Sequence, residues 1–563
     1  MIAPWNFFNR VTEIKIYEAP SDGRVNYLNE SVKFLFMSTT QKDIISSGEN
    51  QSYWIDSVPQ LSFETLKKDI ETDVLIIGAG IAGLTTAYCL ASAGRKVIVI
   101  EDGLPGSGES GRTTAHLTNA LDDRYYTLQK IFGKEKAKLA AQSHSDAIDW
   151  IDETIRKENI DCGFKRLDGY LFLHPTDKPS SLQEELNATH EADLQTELMD
   201  HIPGMENQKG SCLHFPRQAQ FHIMKYLNGL AKAIERMGVK IFTNTHAENI
   251  KENLVIANGK KIAALNIVVA TNTPVNDIVT MHTKQFPYRT YVIAATVAKN
   301  TIMPALWWDT GDQNSKWITH PYHYVRLQAY NDKYDLLISG GEDHKTGQAD
   351  TEDIPEEERY SRLVEWTRQR FPAMKEIVYH WSGQVLEPLD SLAFIGKNPG
   401  SKNIYIITGD SGNGMTHCTI AGTLITDLIN GKENPWSEIY DPARIPLKVA
   451  GNYIKEALSM AGQYSDWVSK GDVESIDKLE NNQGGIISSG LRKLAAYRDE
   501  WGELSVFSAT CPHLGCVVQW NSDEKTFDCP CHGSRFSKEG KVINGPALSD
   551  LKSIEVKDMS VSH

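Results

Sequence analysis

A glycine-rich turn between two short apolar runs constrains the fold more than any other feature of the sequence. Residues 74–77 and 97–100 are apolar runs, rich in β-branched side chains, of the length that buried parallel strands need. Between them, Gly78, Gly80 and Gly83 complete a GxGxxG motif. The first glycine permits a tight turn, the second lets the backbone approach a pyrophosphate, and the third allows the next helix to pack on the strand. This stretch predicts a βαβ unit that binds a dinucleotide.

An acidic residue stands directly at the end of the second predicted strand. Glu101 occupies the position from which a carboxylate accepts hydrogen bonds from both ribose hydroxyls. The helix that begins after Gly80 would direct its N–H groups and its positive dipole end at the pyrophosphate. No second GxGxxG motif occurs in the chain, which disfavours a separate NAD(P)H domain and an NAD(P)H-dependent reductase of the ferredoxin-reductase type.

Two loops rich in glycine and hydroxyl groups accompany this unit. Residues 103–119 follow Glu101, and residues 403–430 contain a predicted strand, a glycine loop and a helix. Both loops could donate hydrogen bonds to a phosphate or to the polar edge of a flavin. The candidate cofactor-binding residues in the loops are Ser110, Gly111, Arg112, Thr113, Thr114, Gly409, Asp410, Gly412, Asn413, Gly414, Met415 and Thr416. His116 is either a covalent attachment point or, as we prefer, a supporting residue.

The GxGxxG unit with its acid and the two loops, in this order, resemble the D-amino-acid oxidase superfamily, which includes glycine, sarcosine and γ-glutamylputrescine oxidases. The resemblance covers about residues 70–431. It implies bound FAD, a two-domain fold like that of p-hydroxybenzoate hydroxylase, and hydride transfer from a C–N bond to the flavin. Asp410 departs from the aromatic or apolar residue often found at its position. No cysteine stands where sarcosine oxidase attaches its flavin, so we expect non-covalent FAD.

The strongest motif of the chain lies near its C-terminus. Cys511 and His513 form a Cys-x-His pair, and Cys529 and His532 form a Cys-x-x-His pair. Two thiolates and two imidazoles suit a Rieske [2Fe–2S] cluster, in which cysteines bind one iron and histidines the other. Tetrahedral zinc is the competing interpretation, because it takes the same ligands. The repeated loop form, and Gly545-Pro546 in a third covering loop, resemble the Rieske family and favour the cluster.

This second resemblance implies further roles. Cys516 and Cys531 would form the disulfide that joins the two cluster loops in respiratory Rieske proteins, whereas ring-hydroxylating dioxygenases lack that pair and add a mononuclear iron site, which we do not find. Respiratory proteins carry a Ser and a Tyr that donate to the cluster sulfurs. Here Ser534 is present but Phe536 replaces the tyrosine. Because hydrogen bonds to the sulfurs raise the reduction potential, we expect a value below the respiratory extreme.

Together the patterns predict an α/β Rossmann-like FAD-binding domain with an antiparallel-sheet substrate domain (α+β), plus a small all-β Rieske domain. The expected boundaries are an N-terminal extension at 1–65, partly disordered and with Met37 as a second candidate start; the oxidoreductase at 66–435, with a nucleotide part at about 70–160, 215–285 and 380–435 and a substrate part at about 161–214 and 286–379; a connector with a helix at 436–470; and the Rieske domain at 471–560.

Aromatic and basic residues on the predicted strands of 286–379 are candidates for a substrate pocket. The weak catalytic candidates are Tyr322, His323 and Arg326, and the other possible wall residues are Trp307, Trp308, Trp317 and Tyr324. An apolar pocket with one guanidinium and a few hydroxyls would suit an amine or an amino acid. The alternative is that these aromatic side chains belong to the core, where strand aromatics usually lie.

Charge and hydropathy limit the partners. The chain of 563 residues has a formal net charge of −15, which disfavours nucleic acid and anionic membranes. No apolar run approaches the length of a transmembrane helix, and the N-terminus lacks a secretion signal. We therefore expect a cytoplasmic protein that is not an integral membrane protein.

The two motifs in one chain resemble bacterial FAD-dependent oxidoreductases with a C-terminal Rieske domain. We expect a dehydrogenase in which FAD takes two electrons from an amine or amino acid and passes them singly to the cluster. A one-electron acceptor protein or a quinone would then dock at an exposed histidine edge of the cluster. We also expect the flavin pocket to need only residues 70–431. Two alternatives are reverse electron flow, entering through the cluster, and a redox sensor without turnover.

Overall fold

A computed structural model describes residues 47–276, 281–317, 320–348, 354, 356–445, 447–449, 451, 471–490 and 492–555. Within these ranges no helix is both long and apolar enough to cross a membrane. The helices are α1 (Tyr53–Asp56), α2 (Ile81–Ser92), α3 (Tyr125–Phe132), α4 (Lys134–Glu158), α5 (Ser180–Glu191), α6 (Ile223–Arg236), α7 (Glu356–Arg370), α8 (Gly414–Ile429) and α9 (Ser437–Tyr440).

Most strands belong to the oxidoreductase part. They are β1 (Ile70–Ile77), β2 (Val97–Ile100), β3 (His116–Leu117), β4 (Lys165–Phe172), β5 (Glu197–Met199), β6 (Cys212–Gln220), β7 (Lys240–Phe242), β8 (Ala247–Lys251), β9 (Leu254–Ala257), β10 (Lys260–Val269), β11 (Gln285–Ala298), β12 (Leu306–Asp309), β13 (Tyr324–Ala329), β14 (Tyr334–Lys345), β15 (Ile377–Pro388), β16 (Phe394–Lys397) and β17 (Ile404–Thr408).

The first sheet forms the nucleotide part and has the order β16-β17-β10-β1-β2-β7, with the β8–β9 hairpin attached to β10. Five of its strands run parallel, so β1, β2, β10 and β17 all end at one edge. Gly78 has φ +107°, and a Cβ there would overlap the carbonyl oxygen of Ala270. A Cβ at Gly83 would overlap the carbonyl oxygen of Gly78, so α2 packs on the turn only because no side chain intervenes.

The second sheet forms the substrate part and has the order β15-β11-β14-β13-β12-β4-β6-β3, with β5 beside β6. All neighbours are antiparallel except β12 and β4. The sheet is larger than predicted, because β15 carries it to Pro388 and β3 adds residues 116–117, both from ranges assigned to the nucleotide part. The two-domain α/β and antiparallel-sheet fold is confirmed.

The Rieske part is all β, as predicted. Its strands are β18 (Gln483–Ser489), β19 (Arg492–Arg498), β20 (Leu504–Ser508), β21 (Gln519–Asn521), β22 (Thr526–Asp528), β23 (Arg535–Ser537) and β24 (Val542–Asn544). The first three form one antiparallel sheet and the last four form another. Of the connector expected at 436–470, α9 and a 3₁₀ turn at Leu447–Val449 are seen, and most of its other residues lie outside the described ranges.

The end of the N-terminal extension is built into the fold. Trp54 of α1 is fully buried, and its indole nitrogen donates to the carbonyl oxygen of Thr113 at 2.6 Å. The backbone N–H of Glu49 donates to the carbonyl oxygen of Glu524 in the Rieske part at 3.1 Å. Residues 47–56 therefore connect the two parts, while residues 1–46 lie outside the described residues.

Candidate functional site

One cavity of about 330 Å³ opens at the carboxyl edge of the parallel strands. Twelve of the predicted cofactor-binding residues line it: Gly78, Gly80, Glu101, Ser110, Arg112, Thr113, Thr114, Asp410, Gly412, Asn413, Gly414 and Met415. The other four, Gly83, Gly111, Gly409 and Thr416, do not line it. The glycines among them allow close packing: Cβ atoms at Gly83 and Gly111 would overlap backbone oxygens, and one at Gly409 would lie 2.7 Å from Oε1 of Gln285.

The adenosine end of the cavity matches the requirements of a dinucleotide. Glu101 accepts hydrogen bonds from the N–H groups of Ala79, at 2.6 Å, and Gly103, at 3.0 Å, and burial raises its pKa. Oγ of Ser110 accepts from the N–H of Ile81 at 3.0 Å, at the N-terminus of α2. A Cβ on Gly80 would stand 2.8 Å from that hydroxyl. The narrow space beside the helix N-terminus therefore depends on glycine, as expected for a pyrophosphate site.

Arg112 serves a different purpose from a phosphate contact. Its guanidinium donates to Oε1 of Glu524 and to the carbonyl oxygen of Ser382, both at 2.7 Å, and to the carbonyl oxygen of Asn50 at 2.7 Å. Both charged side chains of the Arg112–Glu524 pair are fully buried. Arg112 and its neighbours in the loop line the cavity, but the guanidinium of Arg112 binds Glu524 of the Rieske part.

The second glycine loop also lines the cavity. Gly412 has φ +68°, and a Cβ there would overlap a carboxylate oxygen of Asp122. Burial raises the pKa of Asp410 to about 6, and its Oδ1 has no hydrogen-bond partner among the described residues. The helix α8 begins at Gly414, so its N–H groups face the same region as this unpaired oxygen. Such a position suits a group that donates a hydrogen bond, for example the polar edge of a flavin.

His116 lines the cavity with both ring nitrogens already engaged. Nδ1 lies 3.0 Å from the hydroxyl of Thr114, and Nε2 lies 3.3 Å from the carbonyl oxygen of Val325. Burial, together with the charge of Arg326, lowers the pKa of His116 to about 3. These contacts favour a supporting role over covalent attachment.

The three weak catalytic candidates separate in the structure. Tyr322 lines the cavity and donates its hydroxyl to Asp122. His323 lies outside it, between Asp309 and Glu342, at 3.0 and 3.1 Å. Burial alone would lower the pKa of His323, but these two carboxylates outweigh it and raise the pKa to about 9.

Arg326 is also directed away from the cavity. Its Nη1 donates to the carbonyl oxygens of Ala115 at 2.7 Å and of Thr114 and Phe221 at 3.1 Å, and its guanidinium stacks on Trp54. The expectation of a pocket with one available guanidinium is therefore wrong. Three backbone carbonyl groups from two separate segments, residues 114–115 and Phe221, accept hydrogen bonds from the Arg326 guanidinium.

Acidic and hydroxyl groups that the motifs did not identify face the cavity instead. The residues missed are Asp122, Thr290, Asp343 and Glu387, whereas Trp308 and Tyr324, two of the predicted wall aromatics, do line the cavity. Burial raises the pKa of Asp122 and of Asp343 to about 7, and Oδ1 of Asp343 has no hydrogen-bond partner among the described residues. No local pattern marks these residues, because they come from separate loops and strands.

The predicted cluster ligands converge in two loops of the same form. The N–H of Cys511 donates to the carbonyl oxygen of Cys516, and the N–H of Cys529 donates to that of Ser534, both at 2.8 Å. In each loop a glycine four residues after the cysteine returns an N–H to the cysteine carbonyl oxygen at 3.0 Å. Both glycines, Gly515 and Gly533, have positive φ, 82° and 76°. The loops therefore hold their own shape.

Side chains inside these loops fit an iron–sulfur cluster. A hydrogen bond with Cys529 lowers the pKa of Cys511 to about 7. Nδ1 of His532 is buried without a partner in the described part of the chain, as expected of a ligand atom, and the rings of His513 and His532 are 4.9 Å apart. Cys516 and Cys531 form the predicted disulfide. Two thiols and two imidazoles remain as ligands, the set of a Rieske centre.

The histidine edge of this site faces the oxidoreductase part. The ring of His282 lies 5.0 Å from that of His513 and 5.6 Å from that of His532. His532 is only 9% exposed, and His513 is half-buried. A Cβ on Gly533 would contact Pro287 of β11 at 2.6 Å. The expectation that this edge is exposed for an outside partner is therefore wrong, because the Rieske part docks through it.

The flavin cavity is not built from residues 70–431 alone. Residues 542–545, 547 and 548 of the Rieske part and Ser47 of the N-terminal extension also line it. Asn544 donates from Nδ2 to Oε1 of Glu109 at 2.8 Å, next to the pyrophosphate loop. The expected independence of the flavin pocket from the Rieske part is therefore wrong.

Comparisons with known proteins agree with this architecture. The family model for FAD-dependent oxidoreductases (DAO) matches residues 73–428, and the model for the Rieske [2Fe–2S] domain matches residues 466–555. YhfW of Bacillus subtilis, which is named as a Rieske 2Fe-2S iron-sulfur protein, is 32% identical over 90% of this chain and 98% of its own length. The γ-glutamylputrescine oxidoreductase of Escherichia coli is 28% identical over 68% of this chain and 89% of its own length.

Solved structures show the same fold for the oxidoreductase part. Glycine oxidase from Geobacillus kaustophilus matches 67% of this chain and 99% of its own with a TM-score of 0.53 and 16% identity. L-proline dehydrogenase from P. horikoshii matches 67% and 98% with a TM-score of 0.53 and 18% identity.

Proposed function

We propose that this chain, which belongs to the family of FAD-dependent oxidoreductases and carries a C-terminal Rieske [2Fe–2S] domain, is an amine dehydrogenase. In this proposal it oxidises a C–N bond of an amine or amino acid at the flavin cavity, and single electrons leave through the Rieske centre to an outside acceptor protein or quinone. When bound, the flavin supplies the step from two-electron to one-electron chemistry and the cluster a one-electron carrier.

One observation carries the proposal. The two sites share a buried interface, at which His282 of the oxidoreductase part packs against both histidines of the cluster loops. An arrangement that turns the histidine edge inward suits electron exchange within the chain. The names of the relatives, which include oxidoreductases and dehydrogenases of amines and amino acids, support the same class of donor.

The cavity wall favours a cationic substrate. Its acidic residues are Glu101, Asp102, Glu109, Asp122, Asp343, Glu387 and Asp410, and Arg112 is the sole Lys or Arg among its described lining residues. Because Glu524 holds the charge of Arg112, no guanidinium of this wall is free to bind a substrate carboxylate. Asp122 and Asp343 could instead hold an ammonium group, whose charge would keep them ionised. We therefore favour an amine without a carboxylate, such as a diamine, over an α-amino acid.

The test is an anaerobic titration with diamines, monoamines and amino acids, in which flavin absorbance and the paramagnetic signal of the reduced Rieske centre are recorded together. We expect diamines to bleach the flavin and to produce the cluster signal. Bleaching without a cluster signal would contradict the electron route. Reduction by amino acids alone would contradict the substrate class, and an absence of reduction by every donor would favour the sensor.

Substitutions in the cavity sharpen this test. Asp343→Asn should raise the KM for a diamine about tenfold or more, because a charge-assisted hydrogen bond contributes about 1.5–3 kcal/mol. Asp332→Asn, at an exposed position outside the cavity, is the control. Since the pKa values of Asp122 and Asp343 are about 7, KM for the diamine should fall as the pH rises from about 6 to 8, and this slope should flatten in Asp343→Asn.

A further inference from the structure

A segment of the Rieske part forms part of the wall of the dinucleotide cavity. We call residues 542–548 the capping segment; all of them except Pro546 line the cavity together with Gly78, Gly80 and Glu101. The segment begins with β24, which pairs with β23, and β23 follows directly on the second cluster loop. The second cluster loop, β23 and the capping segment are thus consecutive in the chain. The loop carries predicted cluster ligands, and the capping segment lines a cavity of the oxidoreductase part.

Two contacts place the capping segment over the adenosine half of the cavity. The ring of His246 lies between the capping segment and the ribose side of the cavity. Its Nε2 is 3.1 Å from the carbonyl oxygen of Leu548, and its Nδ1 is 3.1 Å from a carboxylate oxygen of Asp102. Asp102 is the residue after Glu101, the predicted ribose ligand. Asn544 donates to Glu109, the residue before Ser110, and the hydroxyl of Ser110 accepts from the N–H of Ile81 at the N-terminus of α2. The segment therefore lies across the positions predicted for the ribose and the pyrophosphate.

The capping segment is also tied to the cluster loops. The N–H of Ala547 donates to Oγ of Ser534 at 3.0 Å, and Ser534 is fully buried in the second cluster loop. In the direction of the oxidoreductase, a Cβ on Gly545 would lie 2.8 Å from Cγ1 of Val275, so the approach is close and depends on glycine. A direct hydrogen bond therefore joins the second cluster loop to the wall of the dinucleotide cavity.

We propose that the capping segment is a component of the FAD-binding site and that it makes FAD retention depend on the folded, cluster-loaded Rieske part. Dissociation of the dinucleotide then requires the segment to move away from His246 and Glu109. Because coupling between two binding events is reciprocal, bound FAD also holds the segment in place. This proposal uses the FAD of the family and not the proposed substrate, so it stands or falls independently of amine oxidation.

The first experiment measures FAD release. Purified holoprotein is diluted, and the rate at which flavin fluorescence recovers is recorded for Asn544→Ala and for Cys529→Ser, which prevents cluster assembly. We expect release about tenfold faster in both variants, within the usual range of coupling between sites. Asn481→Ala, an exposed asparagine in the same Rieske part, is the matched control and should release FAD at the wild-type rate. The Rieske signal of Asn544→Ala should be retained, which shows that its Rieske part is folded.

The second experiment tests the reverse direction. Hydrogen exchange of the peptide that covers residues 541–549 is compared before and after FAD is removed by dialysis, with the peptide that covers 483–489 as reference. We expect faster exchange of the first peptide without FAD, restoration when FAD is added, and no change in the second. The proposal would be overturned if Asn544→Ala released FAD at the wild-type rate. It would also be overturned if the hydrogen-exchange rate of residues 541–549 did not change when FAD was removed.

Discussion

The four predicted cluster ligands and the disulfide lie within residues 511–532, whereas the wall of the flavin cavity includes residues from 47 to 548. Each cluster loop is closed by its own two backbone hydrogen bonds around a glycine with positive φ. The flavin cavity has a local core, the GxGxxG turn, but its remaining wall depends on how distant segments dock. A substitution in the cluster loops should therefore affect mainly the cluster, whereas FAD binding should also respond to substitutions far from the cofactor.

The interface between the oxidoreductase part and the Rieske part contains buried, charged side chains. Glu524 accepts from Arg112 and from the hydroxyl of Ser382, and Asp528 lies 3.1 Å from Arg535 and 3.7 Å from Arg289. Buried ion pairs contribute little net stability, but removal of one partner leaves an uncompensated charge. The docking of the two regions should therefore be specific in geometry and sensitive to single substitutions.

The largest effect is expected at the local core of the assembled site. Gly83→Val should abolish FAD binding, because even a Cβ would overlap the carbonyl oxygen of Gly78 and displace α2 from the turn. The absorbance of the purified protein near 450 nm measures this. Gly451→Val, where a Cβ meets no atom of the described residues within 4 Å, is the control and should remain yellow. Normal flavin content in Gly83→Val would refute the assignment of this turn.

Ligands and disulfide should differ within the local site. Cys511→Ser should abolish the Rieske paramagnetic signal, because it removes a ligand. Cys516→Ser should leave a signal that is weaker or lost faster on storage, since the disulfide connects the loops without binding iron. Equal loss of the signal in both variants would contradict this division of roles.

The stability that Glu524 contributes at the interface of the two parts should depend on pH. Burial alone would raise the pKa of Glu524, but Arg112, Arg289 and Arg535 outweigh it and lower the pKa to about 2. A carboxyl group with a lowered pKa stabilises the fold above its ordinary value, near 4.5, and this contribution is lost as the pH falls from about 4.5 to 2. Glu524→Gln should cost about 3–5 kcal/mol at pH 7 and should lose less stability than the wild type over that pH window.

Denaturant unfolding of wild type and Glu524→Gln across pH 3 to 7 checks this expectation. Glu358→Gln is the control, because Glu358 pairs with Arg362 on the exposed face of α7 and should contribute no more than about 0.5 kcal/mol. An equal loss of stability in the two variants would show that the buried pair has no special part in docking.

The smallest effect concerns the cluster potential. Phe536 is fully buried on β23 and stands where respiratory Rieske proteins have a hydroxyl donor. Phe536→Tyr should raise the reduction potential by about 40 mV, which corresponds to about 1 kcal/mol for one hydrogen bond in a one-electron couple. A redox titration followed by paramagnetic resonance measures it. An unchanged potential would mean that the added hydroxyl does not reach a cluster sulfur.

Features carried by short stretches could be predicted from the sequence. The parallel βαβ unit, Glu101 at the end of its second strand and the cluster loops depend on residues within a few tens of positions of one another. In each case a backbone requirement selects the residue type: glycine at close approaches and at positive φ, and thiol and imidazole groups at ligand positions. Both predicted domain types were confirmed for the same reason.

Features that depend on docking could not be predicted. Arg112 and Arg326 were assigned to cofactor and substrate from their positions in the chain, but Glu524 and three backbone carbonyl groups hold their charges. The carboxylates of the cavity come from segments more than two hundred residues apart. Burial of a guanidinium requires a partner, and the nearest partner in space can be any residue in the chain.

The sequence by itself determined the two cofactor types and the class of each domain, and it predicted four cluster ligands, because local backbone geometry and ligand chemistry admit few alternatives. The tertiary structure alone decided that the histidine edge meets His282, that the capping segment lines the dinucleotide cavity and that acidic side chains from distant segments share its wall. These three properties arise where surfaces from separate parts of the chain are matched in shape and charge. Because this complementarity depends on two surfaces at once, it cannot be predicted from any single stretch of sequence.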